Sequence, residues 1–148
     1  MSGVKRIINY IVVHCTATQP DTKIESIQRY WRQVMHWNNP GYHYIIDRLG
    51  NIHQLQGEDK IANGVAGHNA NSIHISYIGG VDKEGRPKDN RTEAQKEAMF
   101  NKLVELSERY RNAQILGHRD FPGVAKACPS FDVRSWLSSY IPPADNAA

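Results

Sequence analysis

Ile7-Ile8-Asn9-Tyr10-Ile11-Val12-Val13-His14 is the stretch on which the fold turns. Residues 7–13 are almost continuously apolar and β-branched, with no alternation that would set a wet face apart from a dry one. Both faces must then be covered, as in the middle of an α/β sheet flanked by helices. His14 stands at the exit of this strand. Working outward, Thr22 and Glu25 have capping-box spacing, and Ile24, Ile27, Tyr30, Trp31 and Val34 recur at three and four, which predicts a first helix to about His36. Asn38-Asn39-Pro40-Gly41 ends it. Residues 42–46 and 52–55 read as a hairpin around Asp47-Arg48-Leu49-Gly50-Asn51. Residues 73–78 form a further strand closed by Gly79-Gly80. Thr92 and Gln95 cap a long helix carrying Met99, Leu103, Leu106 and Tyr110 on one face, and a brief strand follows at 113–116. Residues 132–140 make a last helix, halted by Pro142-Pro143. The expectation is a single α/β domain over residues 1–148, with its core at about 7–140, a mixed central β-sheet, helices packed on it and the site at the strand ends.

The 148 residues are 40% hydrophobic, 22% charged and 9% aromatic, enough for one domain to bury roughly 70% of its unfolded surface and unlike disordered or fibrous chains. Eighteen Lys+Arg against fifteen Asp+Glu give +3, which suits an acidic polymer, but no long basic run forms, so nucleic acid is not the expected partner. The apolar runs fall far short of the ~18 residues of a membrane helix, so no membrane partner is expected. Lys5-Arg6 leads into Ile7-Ile8, yet Asn9 and His14 interrupt the run and no small-residue cleavage site follows. Synthesis in the cytoplasm without a signal peptide is the expectation. Cys15 and Cys128 read as free thiols or metal ligands rather than as a disulfide.

Two apolar strands, 7–13 and 113–116, each run into a histidine: His14 and, after Gly117, His118. If the strands are parallel neighbours, their carboxyl ends open on one edge, where open α/β sheets gather ligands. Cys128 follows in a loop broken by Pro122-Gly123 and Pro129, able to fold back toward that edge. Two imidazoles and a thiolate suit zinc, and three protein ligands leave a position for water, the mark of a catalytic site. The chemistry implied is hydrolysis of an amide or ester. Lys126, two residues before Cys128, is placed to stabilise developing charge on the carbonyl oxygen, and Tyr42 is a second donor or a proton relay. Spacing alone leaves open that His14 and His118 are ordinary loop-edge residues. Strand alternation turns Cys15 away from His14, as a buried inert thiol, and likewise turns His43 away from Tyr42 and Tyr44. Tyr30 with Trp31, and Trp136 with Tyr140, read as core stripes. Asp120 either orients His118 or pairs with an arginine.

Four ordered motifs carry a resemblance: Val12-Val13-His14-Cys15-Thr16-Ala17-Thr18, Gly41-Tyr42-His43-Tyr44-Ile45-Ile46, Gly117-His118-Arg119-Asp120 and Lys126-Ala127-Cys128-Pro129-Ser130-Phe131-Asp132. Together they resemble the zinc-dependent N-acetylmuramoyl-L-alanine amidases of type 2, the superfamily of the T-odd coliphage lysozymes and the peptidoglycan recognition proteins. The resemblance spans nearly the whole chain. It implies one Zn2+ per chain on His14, His118 and Cys128, Tyr42 and Lys126 as catalytic residues, and His68 facing substrate from the loop Ala66-Gly67-His68-Asn69. It also implies peptidoglycan as the partner, cut at the amide between N-acetylmuramic acid and the L-alanine that begins the stem peptide. A cysteine as third ligand is similar to the phage and recognition-protein branch, so the expectation is a monomeric endolysin-like enzyme of phage or prophage type, reaching the wall after release or export. The alternative is a peptidoglycan-binding module or partner inhibitor without turnover. His74 departs from the family pattern, which has glycine there, Phe121-Pro122-Gly123 lengthens the loop after His118, and no carboxylate neighbours Tyr42 where some relatives place a glutamate base.

Overall fold

The computed structural model describes residues 6–143, so Lys5 of the basic pair lies outside the described residues. Eight regular elements follow in chain order: β1 (Tyr10–Cys15), α1 (Ile24–Gln33), β2 (Tyr44–Ile46), β3 (Ile52–Gln54), β4 (Ser72–Tyr77), α2 (Glu93–Arg109), β5 (Gln114–Gly117) and α3 (Val133–Ser139). The strands form one mixed sheet in the order β3-β2-β4-β1-β5, with β2, β4, β1 and β5 parallel and β3 antiparallel at the edge. β1 is flanked on both sides, as its unbroken apolar sequence requires. Its bounds differ from the sequence expectation. Ile7 is 73% exposed and lies before the strand, which instead runs on through His14 to Cys15. Parallel pairing with β4 carries the ladder that far, with His14 opposite Ser76 and Cys15 opposite Tyr77, whereas pairing with β5 ends at Val13.

One face of the sheet packs Ile11, Val13, Cys15, Ile73, Ile75 and Tyr77 against Met99, Leu103 and Leu106 of α2 and Val133 of α3. On the other face Ile45 and Ile78 meet Ile27 and Trp31 of α1, while Val12 and Leu116 lie under Val65 and Phe121. α2 starts as its sequence predicts: the Thr92 hydroxyl accepts from the Gln95 N–H at 3.1 Å, and the Gln95 amide oxygen accepts from the Thr92 N–H at 2.9 Å. Gln95 also donates to the carbonyls of Ile46 and Ile78, fastening the helix to two strand ends. α1 does not use the expected box. Its N-cap is Lys23, without a side-chain bond, and it closes at Gln33, where the chain turns toward a left-handed His36 at φ 57°. Thr22 is drawn instead to the wall of the cleft described below. The hairpin turn forms around Asp47, whose carboxylate accepts from the N–H groups of Leu49 and Asn51, with Gly50 at φ 89°. Among the described residues no helix is long and apolar enough to cross a membrane.

Candidate metal centre

The carboxyl ends of β1 and β5 do open on one edge. Val13 pairs with Gly117, so His118, which opens a 3-10 turn (His118–Asp120), lies beside His14, with ring centroids 4.9 Å apart. Asp120 neither bonds His118 nor pairs with an arginine; its carboxylate accepts from the Gly117 N–H at 2.8 Å and so shapes the turn that carries His118. The following loop is pinned back onto the sheet. Arg119 donates its N–H to the Cys128 carbonyl at 2.9 Å, Tyr77 donates its hydroxyl to the Pro129 carbonyl at 2.7 Å, and Ser130 donates to the Gly80 carbonyl at 3.0 Å. Cys128 Sγ thereby accepts from the Cys15 backbone N–H at 3.2 Å and lies 3.9 Å from His14 Nδ1. One ligand atom each of His14, His118 and Cys128 lies within 4.8 Å of the others.

The donor set fits a divalent metal such as zinc. Burial, with the Lys126 charge nearby, pushes His118 down to about 4, and burial beside His74 and His118 lowers His14 well below its ordinary value, so both imidazoles are neutral. Contact with the Cys15 thiol, together with burial, pushes the Cys128 thiol up, so a cation has to displace its proton. The Cys15 N–H aimed at the sulfur favours the thiolate that results. Cys15 itself is 3% exposed on the opposite face, as strand alternation predicts.

The trio floors a cleft of about 650 Å³. One wall is apolar, from Ile27, Tyr30 and Trp31 of α1 with Met35 and Trp37 beyond it. Tyr30 is 52% exposed, not core as its stripe predicts, because Ile27 and Trp31 take the sheet-facing side of this short helix. Tyr42 and Lys126 line the same cleft. The Tyr42 ring lies 5.0 Å from that of His14 and edge-on to Trp31, and its hydroxyl donates to the Cys15 carbonyl at 3.2 Å. Burial raises its pKa, so it stays a protonated donor. Lys126 is exposed at the opening. His68 is not brought to this group. Its ring lies tilted against Phe121 at 4.5 Å and meets Tyr10 edge-on, completing the aromatic cover over Val12 and Leu116, and it is not among the cleft-lining residues. No carboxylate lines the cleft among the described residues.

Sequence reasoning left two neighbours without a role. His74 is fully buried with Nδ1 2.8 Å from His14 Nε2, and its Nε2 lies 2.9 Å from Asn69 Oδ1. The signal available was the imidazole at position 74, where the pattern the sequence resembles implies glycine. His43, turned away from Tyr42 as expected, is buried with Nε2 2.7 Å from the Lys60 carbonyl, and its Nδ1 accepts from the His74 N–H at 3.0 Å.

Comparison with known proteins places the sequence and the fold. An endolysin of Klebsiella phage KP32 is 38% identical over 128 residues, 85% of this chain and 83% of that protein. Among solved structures, the endolysin N-acetylmuramoyl-L-alanine amidase LysCS from Clostridium intestinale has a TM-score of 0.76 at 20% identity, covering 93% of this chain and 86% of its own. Drosophila PGRP-LB has a TM-score of 0.72 at 18% identity over 94% and 84% of the two chains, a likeness of fold. The N-acetylmuramoyl-L-alanine amidase profile matches residues 4–131, and the chain belongs to that family.

Proposed function

We propose that this protein is an endolysin-type hydrolase of peptidoglycan that cleaves the amide between N-acetylmuramic acid and the L-alanine of the stem peptide, with one zinc ion held by His14, His118 and Cys128. The convergence of two neutral imidazole nitrogens and one sulfur at the floor of an open cleft carries the reading. When bound, such an ion supplies a Lewis acid and an ionisable water at neutral pH. The chain's own residues do the rest. Lys126, exposed on the cleft, places an ammonium where the scissile carbonyl oxygen gains charge, and Tyr42 gives a second hydrogen bond by turning its protonated hydroxyl from the Cys15 carbonyl to that oxygen. Among the described residues no carboxylate lines the cleft, and Tyr42, whose ring lies beside that of His14, is the hydroxyl assigned to relay a proton. The apolar wall of α1 gives the sugar ring and lactyl group a surface to rest on, and His68, packed on Phe121, has no part in this assignment.

Purified cell walls incubated with the protein, with and without a chelator, test the proposal. New peptide N-termini beginning with alanine, lost on chelation and restored by zinc, are expected. Walls bound without release of stem peptides would mark a binding module and contradict it.

A further inference from the structure

Beneath His14 runs a chain of hydrogen bonds whose direction is set at its far end. Asn69 opens a 3-10 turn (Asn69–Asn71), and its Oδ1 accepts from the backbone N–H groups of Gly64 at 3.0 Å and Val65 at 2.8 Å. Backbone N–H groups only donate, so the oxygen of this amide must face them. His74 Nε2, 2.9 Å from the same oxygen, therefore carries the proton, and His74 Nδ1 is a bare acceptor. His14 Nε2, 2.8 Å away, must donate to it. His14 is left with a bare Nδ1, the nitrogen that faces Cys128 Sγ. Reversing the chain would set two acceptors against each other at Asn69. The position is a built one. His74 is fully buried, a Cβ at Gly64 would overlap its ring, and His43, stacked at 5.9 Å on its other side, is bonded elsewhere and does not compete.

We infer that His74 and Asn69 are positioning residues for the metal ligand His14, fixing its tautomer and ring angle so that the Nδ1 lone pair is presented before a cation arrives. The inference rests on the reading of His14, His118 and Cys128 as zinc ligands. A ligand histidine whose far N–H is held by a fixed acceptor is oriented and made more basic, and loss of such a partner commonly weakens metal binding by ~10- to 100-fold. Here that acceptor is itself an imidazole, and it transmits to His14 an order set at Asn69.

The test combines ring 15N NMR of the metal-free protein with zinc affinity from chelator competition. Wild-type His14 is expected to be protonated at Nε2 and bare at Nδ1. His74→Met, of similar length but without either bond, should bind zinc ~10- to 100-fold more weakly while still unfolding cooperatively. His74→Gln, whose amide can donate to Asn69 and accept from His14, should recover most of that loss. His14 protonated at Nδ1, a folded His74→Met within twofold of wild type, or a glutamine variant as weak as the methionine one would each overturn the inference. If His74→Met does not fold, the wild-type tautomer decides alone. A wild-type protein that binds no zinc at all would instead overturn the metal reading.

Discussion

At the scale of single residues, the proposed function separates groups that would hold the metal from groups that would act on substrate. His14 is the buried member of the three candidate ligands, so His14→Ala should abolish both zinc binding, read by metal analysis after dialysis, and wall hydrolysis. Lys126 touches none of the ligand-fixing bonds and is exposed. Lys126→Ala should therefore keep stoichiometric metal and lower kcat by ~10²- to 10³-fold, the usual loss for one oxyanion donor, and a variant with full activity would remove Lys126 from the chemistry. That His14, His118 and Cys128 would meet at one edge was legible from the chain, because histidines at strand exits and a cysteine in a returning loop depend only on where parallel strands end. His74 was visible as an oddity without a consequence. Its meaning lies in the orientation of three side chains across β4, β1 and the Asn69 turn, which no spacing encodes.

At the scale of elements, close backbone approach decides what holds Cys128 in place. A Cβ at Gly117 would meet Pro129 Cδ at 2.8 Å, so Gly117→Ala must push the Cys128 loop away from His118. We expect a loss of about 1–3 kcal/mol in unfolding free energy together with weaker zinc binding. Thr92→Ala is the contrasting case: removing the α2 cap should cost about 1 kcal/mol in chemical denaturation and leave zinc affinity unchanged, since α2 covers the other face of the sheet. The same Thr-x-x-Glu/Gln logic was sound at Thr92 and failed at Thr22. A box can close only where the first turn is free to face its cap, and Thr22 is turned toward the cleft. Strand order was legible as far as parallel β1 and β5, whereas the edge position of β3 follows from the hairpin alone. The sequence placed His68 at the cleft mouth, but the aromatic pairing with Phe121 and Tyr10 depends on contacts distant in the chain.

At the scale of the whole molecule, a sheet that carries buried imidazoles on one face has to answer to pH. Burial pushes His43 down to about 4 from an ordinary value near 6.5, and His14 and His74 shift in the same direction. The unfolded chain then binds more protons than the folded one between those values. Stability of the metal-free protein should be level above about pH 6.5 and fall as pH drops toward 4, by up to about 1.4 kcal/mol per pH unit for each such group. Urea denaturation at pH 7.5 and pH 5 reads this directly, and equal midpoints would contradict it. Everything in the functional account depends on three side chains, from β1, from the turn after β5 and from the loop before α3, sharing one cation. The most direct measurement is an anomalous-difference map recorded at the zinc edge from crystals of the zinc-loaded protein. A single peak is expected about 2.0–2.1 Å from one nitrogen each of His14 and His118 and about 2.3 Å from Cys128 Sγ; a map with no peak there, or with zinc held by other residues, would contradict a shared cation.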